Sequence, residues 1–323
     1  MAVRAIAKVA HAYARDAKSR RSFDPLGAIA YDDRILSFKA DDRVSIATLG
    51  GRHTLAFMCG TAQRTLLASR QEEADLVVRR GQFFVSCACE VAVADLSPVK
   101  DVLGVDLGIV NLATTSDGEV FTGAGVERVR LRQAKLRRSL QQRADRLKNR
   151  GDRPKNVRRR LKRLAGREAR YRRDTNHRNS KRLAALAQGT SRAIALEDLG
   201  GIGGRRRFGR EQRARLGGWA FGQLGAFVVY KVARAGVEVC QVDPRYTSQT
   251  CAECGHCERA NRVSQSEFLC HNDACGHRAN ADLNAARNIR ARAAVNQPQA
   301  AESHRVTLVA EYSDKTPRSR GGR

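Results

Sequence analysis

Residues 102–110, VLGVDLGIV, set one carboxylate, Asp106, inside an otherwise wholly apolar, strand-like run. An unpaired carboxylate there costs several kcal/mol unless a cation or a hydrogen-bond network compensates it, so the fold must bring a partner to Asp106. Two more acids stand at comparable places. Glu197 ends a second apolar strand, AIALE, and Asp282, in NADLNAARNI, stands where a loop becomes a helix, with Ala285, Ala286 and Ile289 spaced to dock that helix on a sheet. Carboxylates from separate elements converging on a small volume are what phosphodiester hydrolysis by two divalent metals needs, because such hard cations prefer oxygen ligands. Taken singly, each acid has an ordinary reading: a salt-bridged core residue for Asp106, a strand-end surface charge for Glu197, an N-cap for Asp282. Asp198 is the rival of Glu197, pointing to the opposite side of a continuing strand.

Around these acids the chain is strongly basic. Its 323 residues carry 60 Lys and Arg against 33 Asp and Glu, a formal charge of +27, so the folded surface should attract polyanions. A structural protein of the ribosome or of chromatin is the plain alternative, set aside because the acids are not spread at random. The length suits one large domain or two to three small ones. No apolar run approaches the roughly 20 residues of a membrane span, and no signal peptide opens the chain, so a soluble, cytoplasmic protein is expected. The Ala- and Arg-rich opening superficially fits an organelle-targeting helix, but the basic character continues far beyond it.

From about Ala28 to Glu90 short β-like runs alternate with turn signals, which predicts a small antiparallel barrel or sheet. Cys87 and Cys89, at alternating strand positions, face one way and read as core thiols. VLGVDLGIVNLATTSDGEVFT predicts two strands, a kink at Gly108 and a Ser-Asp-Gly turn into a third. Between Arg128 and Arg182 there are 24 Lys or Arg and four Asp or Glu, on two helical patterns broken near Gly151-Asp152-Arg153-Pro154. Val129, Leu136, Leu140 and Leu147 stripe the first, and Val157, Leu161 and Leu164 the second, predicting a helical hairpin with basic outer faces. Then follow the β-like SRAIALEDL, the loop GGIGGRRRFGR, a helix around Trp219 to Arg234 and a strand at Val237 to Val242. Beyond about Asn296 the composition predicts a loosely held tail.

Nine cysteines are an odd number, and five of them (Cys251, Cys254, Cys257, Cys270, Cys275) share one short window. That favours a metal site in a reducing compartment over disulfides. Cys251-x2-Cys254, fifteen residues, then Cys270-x4-Cys275 is close to two knuckles around one tetrahedral zinc, with Gly255 and Gly276 after the second Cys of each pair. Because the second spacing is two residues too long, Cys257, His256, His271 and His277 remain candidate substitutes. Four protein ligands leave zinc no open position, so the site is expected to be structural.

GVDLGIVNLAT, TNHRNSKRLAALAQGTSRAIALEDLGGI, WAFGQL, VDPRYTSQTCAECGH, FLC and HRANADLNAARNI occur in this order, and the chain thereby resembles TnpB, the transposon-encoded relative of type V CRISPR effectors. The resemblance implies an α/β RNase H-like (RuvC) nuclease domain with a basic helical hairpin insert and a zinc-ribbon-like insert, preceded by a small β-barrel, wedge-like domain. In residue numbers it implies a truncated wedge-like domain at 1–100 and a RuvC domain at 101–250 with the hairpin at about 126–188. A zinc insert at 251–281, a final RuvC helix at 282–295 and a tail at 296–323 complete the expected arrangement. It further implies catalytic Asp106, Glu197 and Asp282 holding two Mg ions, zinc on Cys251, Cys254, Cys270 and Cys275, a guide RNA from the transposon end, and cleavage of double-stranded DNA. In such systems the protein reads a short motif and duplex shape while base pairing reads sequence. Family members carry a longer segment before the wedge, so most of a helical recognition domain is expected to be missing here. A minimal variant, a decayed copy or a late start codon would each produce that. An RNA-bound regulator that cuts poorly is the second function to weigh. A strand-transferring transposase is the third, for which the expected tyrosine or transfer apparatus is not found.

Overall fold

The computed structural model of the protein describes residues 2–79, 81–198 and 221–295, which fall into two compact units, 1–92 and 93–323. The first contains α1 (Ala2–Arg15), β1 (Ile29–Tyr31), β2 (Leu36–Lys39), β3 (Arg43–Thr48), β4 (Gly51–Ala56), α2 (Thr61–Leu67), β5 (Arg70–Arg79) and β6 (Gln82–Cys89). Its strands form two separate three-stranded antiparallel sheets, β1-β5-β6 and β2-β3-β4, over one core of Tyr31, Leu36, Val44, Ile46 and Ala74. Of the expected antiparallel barrel or sheet, the unit shows two three-stranded antiparallel sheets. The passage between them is made at Asp32, whose carbonyl accepts the amides of Ile35 and Leu36. That tight turn carries the chain out of the first sheet into the second instead of letting β1 pair with β2. Cys87 packs against this core, and burial pushes its thiol pKa up.

The second unit is built on β7 (Asp101–Asp106), β8 (Asn111–Thr115), β9 (Val120–Thr122), β10 (Arg192–Glu197) and β11 (Val239–Val242), in the order β11-β10-β7-β8-β9. β7, β10 and β11 run parallel, and β8 and β9 add antiparallel on the far side of β7. The three parallel strands are covered on both faces, which is why their sequences read as continuous apolar runs without alternation. Leu103, Val105, Ile194 and Leu196 meet helices α5 (Arg167–Gly189) and α6 (Phe221–Arg234) through Leu183, Ala187, Leu224, Val228 and Val232. Val102, Ala193, Ala195 and Val242 face Ile289 and Ala293 of α7 (Ala281–Val295). Gly104 lies on the same face of β7 as Val102. A Cβ there would lie 2.1 Å from the carbonyl oxygen of Ala286 and 2.6 Å from the amide nitrogen of Arg290, so the glycine is what lets α7 lie directly on β7.

The basic segment departs from the expected hairpin of two helices. It forms α3 (Ala124–Asn149), α4 (Lys155–Leu164) and α5. After α4 the chain passes through Gly166 at φ +74°, a conformation that glycine adopts without strain, and the second expected helix is thereby divided in two. The stripes hold: Leu140 and Val157 are buried. Lys155, Arg158, Arg159, Arg160, Lys162 and Arg163 of α4 are all exposed. β12 (Glu267–Leu269) and β13 (Arg278–Asn280) form an antiparallel hairpin within the cysteine segment. The loop GGIGGRRRFGR, Trp219 and the segment from Asn296 onward lie outside the described residues. No described helix is long and apolar enough to cross a membrane.

Candidate functional site

Asp106 is the last residue of β7 and Glu197 the last of β10. These strands are parallel neighbours with Leu196 opposite Val105, so one further step in that register sets the two acids side by side at the carboxyl edge of the sheet. Asp282 comes to the same place from α7, where it is buried in the first turn. All three acids thus share one pocket of charge. Burial, first, and the charges of Glu197 and Asp282, next, push the Asp106 carboxyl up to about 8. Burial also raises the pKa of Glu197, opposed by a hydrogen bond from Thr247 and by the charges of Arg292 and Arg262. Three carboxylates that repel one another in a desolvated place form a site that gains from a cation. An all-oxygen donor set of this kind suits hard divalent ions. Asp198, the rival ligand, is exposed and its amide donates to Val242. It is Glu197 whose charge reaches Asp106.

Three further residues at this site were not singled out by the sequence: Asn111 and Thr247 lie within the quoted motifs without an assigned role, and Arg262 lies outside them. Asn111, at the start of β8, donates through Nδ2 to Asp282 Oδ2 at 2.8 Å. The hydroxyl of Thr247 donates to Glu197 Oε1. Arg262, from the cysteine segment, reaches within 3.8 Å of Asp282 Oδ1, and its charge lowers the proton affinity of both Asp106 and Glu197. Arg262 is one arginine among many, without a distinctive spacing. Thr247 and Asn111 could have been sought as neutral donors close to the acids, but spacing alone did not point to them.

The Sγ atoms of Cys251, Cys254, Cys270 and Cys275 all lie within 4.8 Å of one another. Cys251 and Cys275 are 3.9 Å apart, and Cys254 and Cys270 3.5 Å. Tetrahedral zinc with Zn–S bonds of about 2.3 Å requires sulfurs about 3.8 Å apart, so these four could hold one zinc ion. Gly255 and Gly276 take positive φ of +76° and +55°, turning each knuckle back under its second cysteine. The longer second spacing is absorbed by a turn in which the carbonyl of Asn272 accepts the amides of Cys275 and Gly276. Neither Cys257 nor a histidine belongs to the cluster. Cys257 pairs across a bridge with Thr250, His256 faces Glu258, and the backbone of His271 is tied to Asn261. The Nε2 of His277 is buried without a hydrogen-bond partner.

Comparison with known proteins finds relatives by sequence over both parts of the second unit. Residues 86–199 match a family described as a probable transposase, OrfB_IS605, and residues 221–289 match the Cas12f1-like TNB domain. The chain is 34% identical over 225 residues to a protein named RNA-guided DNA endonuclease InsQ of Escherichia coli (strain K12), covering 65% of this chain and 53% of that protein. It is 40% identical over 132 residues to the CRISPR-associated endodeoxyribonuclease Cas12f1 of Sulfoacidibacillus thermotolerans, covering 40% of this chain and 29% of the other. The chain thus spans about half or less of the length of these relatives. Among solved structures, the cryo-EM structure of a CRISPR-Cas12f ternary complex superposes with a TM-score of 0.48 at 16% identity, over 86% of this chain and 67% of the other.

Proposed function

We propose that this chain, which belongs to the TnpB family, is an RNA-guided, Mg-dependent DNA endonuclease of a transposable element whose nuclease centre is Asp106, Glu197 and Asp282. The observation that carries the reading is the convergence of three acids from β7, β10 and α7 on one desolvated spot in a chain of charge +27. In this reading the mixed sheet is an RNase H-like (RuvC) fold, unit 1 is a wedge-like domain, and the cysteine segment is a zinc-bearing insert before the third acid. Nucleases among its relatives support it.

The three carboxylates would hold two Mg ions, which when bound activate a water and stabilise the leaving oxygen of an in-line displacement. The chain's own residues do the rest. Asn111 holds one oxygen of Asp282, and Thr247 one oxygen of Glu197, so that the carboxylates keep their orientation before substrate arrives. Arg262 is the cation at the rim. Its guanidinium is placed to take a phosphate oxygen once nucleic acid displaces it from the weak contact with Asp282. Four cysteines would hold zinc for structure alone, keeping the segment that presents Arg262 folded. The exposed arginines of α4 bind the phosphates of a guide RNA from the transposon end, or of its duplex with DNA, without reading bases.

The test is co-expression with the flanking transposon DNA, sequencing of the RNA that co-purifies, and incubation of that complex with Mg and a matched double-stranded target. Guide-dependent cleavage is expected. Specific RNA and target binding with no cleavage at any Mg concentration would sink the nuclease reading.

A further inference from the structure

We propose that Thr247 is a positioning residue for Glu197, held in place by Asn284 and Asn288 of α7, so that the helix carrying Asp282 also aims the second acid. The proposal rests on the nuclease reading only for its catalytic consequence. Thr247 is 2% exposed, and its hydroxyl has one proton to give. Two acceptors compete for it: Glu197 Oε1 and the carbonyl of Pro244 at 3.1 Å. An ionised carboxylate is the stronger acceptor, so Glu197 takes the proton, which fixes the plane of the carboxylate.

What holds Thr247 is as specific. Asn284 and Asn288 are one turn apart on α7, 0% and 7% exposed, and buried amides persist only when paired. Asn288 Nδ2 donates to the carbonyls of Thr247 at 2.8 Å and Thr250 at 2.7 Å. Asn284 Nδ2 donates to Thr250 at 2.8 Å, while its Oδ1 accepts the amide of Ala252 at 2.9 Å. The two side chains therefore buckle main chain 247–252, on both sides of Cys251, to the helix that begins with Asp282. A core that needed only packing would be served by apolar residues here. The geometry instead couples three things through one helix: the third acid, the aim of the second, and the first cysteine of the metal cluster.

The test compares Thr247→Val, which keeps shape and removes the proton, with Thr247→Ser, which keeps the proton. Mn2+ binding by titration calorimetry on the RNA-bound protein is read beside cleavage kinetics, zinc content and melting temperature. Outer-shell hydrogen bonds to metal ligands are worth about 10–100-fold. Thr247→Val is expected to weaken Mn2+ binding and lower kcat in that range, with target KM and zinc content unchanged. Thr247→Ser should stay within about 3-fold of the natural protein, the scale of a retained hydrogen bond. Asn288→Ala, which leaves the hydroxyl but removes its anchor, should move Mn2+ affinity the same way by less, and serves if the valine variant does not fold. Natural Mn2+ affinity in both Thr247→Val and Asn288→Ala would overturn the proposal. Absence of cleavage by the natural complex would count against the nuclease reading alone, since Mn2+ affinity still decides the role of Thr247.

Discussion

Replacing Gly104 by alanine adds one methyl group where β7 meets α7. The new carbon would stand 2.1 Å from Ala286 O and 2.6 Å from Arg290 N, against 3.4 Å for ordinary contact. Both obstacles are main chain of a helix, so no side chain can turn aside. The helix must retreat by about 1.3 Å, and Asp282, one turn earlier, goes with it while Asp106 stays on the strand. Overpacking of this kind costs about 1–3 kcal/mol, equivalent to a fall in Tm of roughly 2–12 °C for a unit of this size. Displacing a catalytic group by about 1 Å costs on the order of 10²-fold in rate. Guide-dependent cleavage should therefore fall by about that factor even well below the new Tm. Gly225→Ala is the control. Its Cβ meets only Leu107 at 3.7 Å, and within α6 the change favours the helix by up to about 1 kcal/mol. A Gly104→Ala protein that melts and cuts like the natural one would refute the close-approach argument and the placement of Asp282 derived from it.

Cys270→Ser removes a buried sulfur of the cysteine cluster that is proposed to hold zinc. Zinc per chain, measured by mass spectrometry, should fall from one to well below it, and the segment carrying Arg262 should lose protease resistance. Neutralising Arg158, Arg159 and Arg160 together to Gln should weaken RNA binding and reduce the slope of log affinity against log salt by about 2–3, since each phosphate contact contributes about 0.7–0.9. An unchanged slope would place the nucleic acid elsewhere. In the first unit, hydrogen bonding and charge from Arg34 hold the Asp32 carboxyl down to about 2, below its ordinary 3.8. A lowered folded-state pKa gives stability that is present above the unfolded value and lost as pH falls through the folded one. Asp32→Asn should therefore be the less stable protein in thermal melts above about pH 4, with the difference closing towards pH 2. A difference that persists at pH 2 contradicts the ion pair as its source.

How far the sequence reached is clearest residue by residue. Asp106 was visible because the parallel strands are buried on both faces, leaving a charge in an apolar run with no ordinary explanation. The cysteine cluster was visible because knuckle spacing and its glycines are local features, and the tolerance of the second pair for two extra residues followed from a turn at Asn272 that spacing cannot show. The strands of the first unit were legible but not their grouping into two sheets, because that depends on which strand edges pair, and the turn at Asp32 decides that in three dimensions. Gly166 divided a continuous amphipathic stripe whose periodicity survived the break, so pattern alone merged α4 with α5. Arg262, Thr247 and Asn111 act on the acids across long sequence separations. No period links a residue to such a partner. Asn284 and Asn288 were legible in principle as polar residues one turn apart beside Ala285 and Ile289.

The central claim is that Asp106, Glu197 and Asp282 act as one nuclease centre. Its most direct test is the Mg-dependent cleavage rate of the RNA-bound complex on a matched target, for the natural protein and for Asp106→Ala, Glu197→Ala and Asp282→Ala, each first shown to bind RNA and target normally. The account predicts cleavage by the natural protein and its loss in all three variants to a similar floor, because groups that act as a unit are not additive. Normal target binding with undiminished cleavage in any one of the three would contradict it.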